Sequence, residues 1–200
     1  MDGRFKFDLA AHFGWIDGQP AMSVTDILRH HGFIDPTWYT EESRSRGTVV
    51  HAVTAGLDQG MTFNWADLDP KLHGYVKSWL AFKAKTPIEI LDVETTAYHP
   101  LYLFWGTRDI RFMLNGHEYL ADKKTGAAPY WACWQTAAYD LLAGPTANGK
   151  PRKRASIQLY EDGSQARMVE YNGPDHYHDG AEFIAFTITA RRQKQYGIGN

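Results

Sequence analysis

Only one cysteine, Cys133, stands among the 200 residues. A lone thiol excludes an intramolecular disulfide, and with it the small bridged scaffolds that depend on one. It equally excludes an iron–sulfur cluster held by four cysteines of this chain. No stretch approaches the roughly 18 consecutive apolar residues of a membrane span. The opening Met-Asp-Gly-Arg-Phe-Lys lacks the apolar core of a secretory signal, so a cytoplasmic protein is expected. An excess of positive charge is missing too: 21 lysines and arginines stand against 23 aspartates and glutamates, for a net charge of −2. Binding of a polyanion through bulk charge is thereby excluded. Contact would fall to local patches, of which Lys150-Pro-Arg-Lys-Arg154 and Arg191-Arg192-Gln-Lys194 are the clearest.

What is present suits a soluble globular chain, 44% hydrophobic and 22% charged. No internal repeat or dividing linker occurs, so residues 1–200 are expected to form one domain. Residues 4–22 alternate loosely around Asp17-Gly18 and predict an irregular β-hairpin. Ser23-x-x-Asp26 is a capping signal for a short helix ending near Gly32. Trp38 and Tyr39 follow, as packing aromatics or as platforms for bases. A helix is expected from Glu41 to about Leu57, and another over Leu68–Lys85 with Leu72, Tyr75, Val76, Trp79 and Phe82 at helical spacing. Pro87 ends it, and Ile88–Tyr98 alternates as a strand. A second hairpin is expected from Arg154–Tyr160 and Gln165–Tyr171. A closing helix over Asp175–Tyr196 should bury Phe183, Ile184, Phe186 and Ile188. His176 and His178, near its start, read as surface residues.

The stretch Leu103–Tyr139 carries the chemistry. Asn115-Gly116 is the strongest short signal for a two-residue type I′ turn, whose central residues both need positive φ. If those residues form the loop, Leu114 faces His117, Phe112 faces Tyr119 and Asp109 faces Asp122. Two carboxylates then sit opposite each other, roughly 4.5–5.5 Å apart at Cβ, which is destabilising unless offset. A divalent cation offsets it, since converging hard oxygens are what magnesium or manganese selects. Lys124 shares a side with Asp122 and is placed to steer a water beside such an ion, an arrangement suited to phosphodiester hydrolysis. A surface hairpin with a solvated salt bridge would present the same residues.

Asp109 followed by Asp122-Lys123-Lys124 resembles the PD-(D/E)XK nuclease core in its RecB-type form. That form adds a histidine-bearing helix before the core, here Arg46-Gly47-Thr48-Val49-Val50-His51, and a Gln-x-x-x-Tyr helix after it, here Gln135 to Tyr139. Ser23-Val-Thr-Asp-Ile-Leu28 is similar to the opening helix of phage-type and mitochondrial genome-maintenance exonucleases of this class, so the resemblance covers most of the chain. It implies an α/β (α+β mixed) fold: a central mixed sheet flanked by helices, restriction-endonuclease-like, with an N-terminal helical wall and a C-terminal hairpin plus helix.

For the site, the resemblance implies Asp109, Asp122, Lys124 and Gln135 as catalytic residues. His51, Asp109, Asp122 and the Lys123 carbonyl would hold Mg²⁺ or Mn²⁺, the imidazole favouring manganese. Arg46, Tyr139 and Arg154 would contact DNA, although Arg46 and its neighbour Arg44 have Glu41 and Glu42 nearby as alternative partners. Glu94 would support the site from behind the ligands or reach the metal itself. The activity implied is a metal-dependent DNA exonuclease acting on single strands or DNA ends in phage-type recombination or genome processing. It would reside in the host cytoplasm if phage-encoded and work beside a recombinase or single-strand-binding protein. A structure-specific endonuclease of the same fold, or a non-catalytic DNA-binding subunit, are the alternatives.

Overall fold

Asn115 and Gly116 take φ values of 51° and 73°, as the type I′ turn demands, and they set the register on either side. β5 (Phe104–Leu114) and β6 (His117–Thr125) run antiparallel with Leu114 opposite His117, Phe112 opposite Tyr119 and Ile110 opposite Ala121. The computed structural model describes residues 3–8, 11, 13–35, 37, 39–146 and 149–198, so Trp38 lies outside the described residues. A second such turn, Asp17-Gly18 with φ 52° and 75°, joins β2 (Phe13–Ile16) to β3 (Gln19–Ser23), and β1 (Phe5–Asp8) pairs with β2.

The strands form one mixed sheet of eight. β4 (Glu89–Tyr98) lies antiparallel along one edge of β5, from Met113 back to Trp105. The opposite edge of β5 is shared. β6 occupies it only from Leu114 to Ile110, and β3 takes it up, in parallel, at Trp105 and Phe104. Gly106–Asp109 lies in the gap, where the two neighbours part. β6 meanwhile pairs in parallel with β7 (Lys153–Leu159), which pairs with β8 (Arg167–Glu170). This fork positions the site.

Helices cover both faces. α2 (Glu41–Asp58) and α3 (His73–Lys85) pack over one apolar layer that includes Val50, Trp79, Phe82, Ile110, Phe112 and Ile157. α1 (Val24–His30), α4 (Ala132–Ala143) and α5 (Asp179–Gln195) cover the other, with Ile27, Leu28, Phe104, Leu120, Ala138 and Phe183. Each such side chain withdrawn fully from water contributes roughly 1.5–3 kcal/mol before ordering costs. The mixed α/β sheet flanked by helices, the helical wall of α2 and α3, and the closing β7–β8 hairpin with α5 agree with the expected architecture.

Two helices, α3 and α5, differ from expectation. The helix predicted from Leu68 begins at His73, because Asp69-Pro70 first turns the chain through a short 3₁₀ segment capped by the Asp69 carboxylate. Its approach is tight, since a Cβ at Gly74 would lie 1.5 Å from the carbonyl oxygen of Glu161 in the β7–β8 loop. On α5 the buried stripe is Phe183, Thr187 and Ala190, whereas Ile188 is exposed; these positions recur every three or four residues, and Ile188 falls outside that row.

Candidate metal centre and adjoining cleft

α2 starts where Thr40 accepts a hydrogen bond from the Ser43 amide at 3.1 Å, with Glu41 and Glu42 in the first turn favoured by the helix dipole. The helix packs against β4 and β6 as well as α3, which brings His51 over the fork. Its Nδ1 lies 3.2 Å from Asp109 Oδ2. The same carboxylate accepts the Lys123 amide at 2.8 Å, so where the β5–β6 ladder ends a side chain replaces the missing backbone acceptor. Both aspartates are buried, and both carboxylates lie close enough to act on the imidazole electrostatically.

Adjacent lysines part ways here, as strand alternation requires. Lys123 sends its ammonium to the α2–α3 face, where it donates to Asp58 Oδ2 at 2.8 Å and Thr54 Oγ1 at 3.1 Å and lies over the Trp79 ring. That buried knot fastens β6 to α2 two turns beyond His51. Lys124 turns to the α4 face, 2.7 Å from Asp122 Oδ2 and donating to Gln135 Oε1 at 2.8 Å, over the ring of Trp131. Gln135 donates in turn to the Tyr139 hydroxyl at 3.2 Å. Gly106 admits this arrangement: a Cβ there would stand 2.8 Å from the Tyr139 ring.

Glu94 holds a left-handed backbone, φ 48°, within β4, a strain of roughly 1–3 kcal/mol for a residue with a side chain. Its carboxylate, the Asp109 carboxylate and the His51 ring offer one donor atom each, all within 4.8 Å of one another. The tightest convergence therefore contains Glu94, which the sequence places only as an auxiliary, while Asp122 sits alongside, paired with Lys124. The Lys124 ammonium, 2.7 Å away, is the cation set against the buried Asp122 Oδ2. A neutral-nitrogen and carboxylate-oxygen set of this kind fits Mn²⁺ or Mg²⁺.

Charges here are poorly balanced by the protein alone. Burial would depress the His51 imidazole, but the Asp109 carboxylate, with help from Asp122, holds it up at about 9. Burial and then the charge on Asp109 push Glu94 up to about 7. Burial also raises Asp122, and Asp109 adds to it, beyond what Lys124 offsets. For Asp109 burial acts upward, but His51, Lys123 and the Lys123 amide outweigh it and keep the carboxyl low. Protons thus stand where a dication would relieve the crowding.

Beside the centre opens a cleft of about 550 Å³ lined by Lys124, Arg29, Arg44, Arg46, Tyr39 and Trp131 among others. Arg46 lies over the Tyr75 ring, and its Nε is buried with no acceptor. Gly47 faces open space, with nothing within 4 Å of a Cβ placed on it. Of the residues singled out by sequence, His51, Glu94, Asp109, Asp122, Lys124, Gln135, Tyr139 and Arg46 gather around the fork or its cleft. Arg154 does not. Its guanidinium is buried and donates to the carbonyls of Cys133, Tyr171 and His176 and to Asp179 Oδ2, which leaves it a structural role.

His176 is also no simple surface residue, being 3.1 Å from Asp179 and grouped with Cys133. Sequence reasoning missed Arg29 as a cleft residue and Asp58 as the partner of Lys123. Asp58 had a signal, since seven residues after His51 it returns to the same side of α2; Arg29 had none. Comparison of the chain with protein-family models and with curated proteins gives no match.

Proposed function

We propose that the chain is a metal-dependent deoxyribonuclease of the RecB-like PD-(D/E)XK type, an exonuclease that hydrolyses phosphodiester bonds of single-stranded DNA or DNA ends. The observation that carries this reading is the convergence of His51, Glu94 and Asp109 beside the Asp122–Lys124 pair, with Lys124 also lining a cleft that presents Arg29, Arg44 and Arg46. His51, Asp109 and Glu94, with Asp122 and the Lys123 carbonyl, would hold the ion. A bound Mg²⁺ or Mn²⁺ supplies Lewis acidity and a water of lowered pKa.

The chain's own groups do the rest. Lys124, fixed by Asp122 and Gln135, orients the attacking water and stabilises charge developing on the phosphoryl oxygens. Arg46 lines the cleft and offers a guanidinium to a phosphate, and Tyr139 steadies Gln135. A cytoplasmic setting and a recombinase or single-strand-binding partner belong to the same reading. No helix of the described residues is long and apolar enough to cross a membrane.

The test is digestion of end-labelled single- and double-stranded DNA, beside a closed circle, with Mn²⁺ or Mg²⁺. Linear DNA should be degraded from an end while the circle survives, and EDTA should stop the reaction. Cleavage of the circle would make the enzyme an endonuclease. No cleavage with either ion, or cleavage that persists in excess EDTA, would refute the metal mechanism.

A further inference from the structure

The cleft does not end at Trp131. A second cavity of about 460 Å³ shares Tyr39, Pro129 and Trp131 with it and continues past Phe33 and Tyr130. Along this path the lining changes character. Near the centre it is cationic, with Lys124, Arg46, Arg44 and Arg29; farther out it is aromatic, and the one charged residue there is Asp35. The Asp35 carboxylate accepts from the Thr37 amide and hydroxyl at 2.8 and 2.6 Å. Tyr130 is 68% exposed and Tyr39 37%; the Tyr130 ring meets Trp134 edge-on, centroids 6.2 Å apart, and its hydroxyl donates a long hydrogen bond to the Phe33 carbonyl at 3.4 Å.

Two exposed tyrosines beside a basic channel are poor packing residues but good stacking platforms. Aromatic faces bind unpaired bases regardless of sequence, while cations follow the phosphates. A base inside a duplex has both faces covered by its neighbours and offers nothing to a side chain. We infer that the outer cavity is a nucleobase subsite, in which an unpaired base of the strand leading from the scissile phosphate stacks on Tyr39 and Tyr130 while Arg29, Arg44 and Arg46 hold the intervening phosphates. This rests on the proposed nuclease reading and names its substrate as an unpaired strand gripped by its bases.

The test measures binding apart from cleavage. Fluorescence anisotropy in Ca²⁺ compares oligothymidylate with the same strand carrying tetrahydrofuran abasic residues, which keep every phosphate and remove the bases. Wild type should bind the abasic strand about tenfold more weakly. Tyr39→Ala and Tyr130→Ala should each weaken the thymidylate strand severalfold and leave the abasic strand unchanged, whereas Tyr39→Phe and Tyr130→Phe should bind as wild type does. Both side chains lie at the surface, and unchanged melting temperatures check that the variants fold. Equal binding of the two strands by wild type, a loss in the alanine variants that is the same for both strands, or no oligonucleotide binding at all would overturn the inference. Hydrolysis with equal binding would leave the nuclease standing without the subsite. Base-dependent binding in a protein that cleaves nothing would leave the subsite and remove the nuclease.

Discussion

Two clusters in this molecule, each anchored on a buried aspartate, hold nearly the same functional groups. One joins His51, Glu94 and Asp109; the other joins Cys133, His176 and Asp179, and each brings its donor atoms within 4.8 Å. They differ in what answers them. Asp179 Oδ2 receives Arg154 at 2.9 Å and His176 at 3.1 Å, and the Cys133 thiol donates to the Tyr130 carbonyl. Around the fork, Asp122 has Lys124 at 2.7 Å but also the repelling charge of Asp109, Arg46 Nε lacks an acceptor, and Glu94 keeps a strained backbone. A buried polar group left unanswered costs roughly 1–3 kcal/mol. A buried donor without an acceptor, a strained backbone and crowded carboxylates in one place mark a site prepared for something that is not protein. Composition alone does not separate the clusters; satisfaction does.

The largest contrast should be in rate. Asp122→Ala or Lys124→Ala should reduce DNA hydrolysis roughly a thousandfold or more, with the far-UV circular dichroism of the folded protein retained. Undiminished cleavage by either variant would take the fork out of the chemistry. The matching substitution in the other cluster, Arg154→Leu, strands Asp179 and should destabilise the fold by about 3–5 kcal/mol in urea titrations, while kcat of the folded fraction stays within twofold of wild type. A stable Arg154→Leu protein with impaired DNA binding would restore the sequence-based role of that arginine.

Arg154 shows why part of the site escaped the sequence. Lys150–Arg154 reads as a solvated basic run, yet Arg152 and Arg154 both turn inward. Arg152 is spent on Glu118, Asp140 and the Gly144 carbonyl. Their acidic partners are distant in sequence, so only the assembled sheet reveals them. The Asn115-Gly116 turn was legible because its information is local, and it fixed the register as far as Ile110 opposite Ala121; the expected pairing of Asp109 with Asp122 stops one step short, since the strands part there and Asp109 accepts the Lys123 amide instead. The fork was not legible, because it arises from the parallel docking of β3 on Trp105, a contact between segments some eighty residues apart. Without the fork, Glu94 looks like any strand glutamate; with it, the carboxylate closes the triad.

A smaller effect separates the clusters by pH. In chelator, His51 is held at about 9 against an ordinary 6.5, and Glu94 at about 7 against an ordinary 4.5. Both groups bind protons more tightly folded than unfolded, so stability falls as pH rises through these values. For Glu94 the loss runs from about pH 4.5 to 7, and for His51 the favourable contribution is full below about 6.5 and gone above about 9. The metal-free melting temperature should therefore drop by several degrees between pH 6 and 9. His51→Gln should flatten the upper part of that drop, and a wild-type profile in this variant would contradict the assignment. Asp179→Asn, being outside the fork, should keep the slope whatever it does to overall stability.

The smallest effect concerns Cys133. Burial, then the charge on Asp179, pushes its thiol up to about 11, so at neutral pH it is a proton donor and not a thiolate. A metal there would have to remove that proton and draw Asp179 from Arg154, exchanging a satisfied pair for an uncompensated guanidinium. Cys133→Ser keeps a donor for the Tyr130 carbonyl and should change hydrolysis less than twofold. Zinc and manganese titrations by calorimetry should give the same stoichiometry in wild type and Cys133→Ser, with manganese binding weakened instead by His51→Ala or Glu94→Gln. One equivalent of zinc lost with the thiol would show that Arg154 yields Asp179 after all, and that hydrogen-bond satisfaction fails to tell a structural cluster from a binding one.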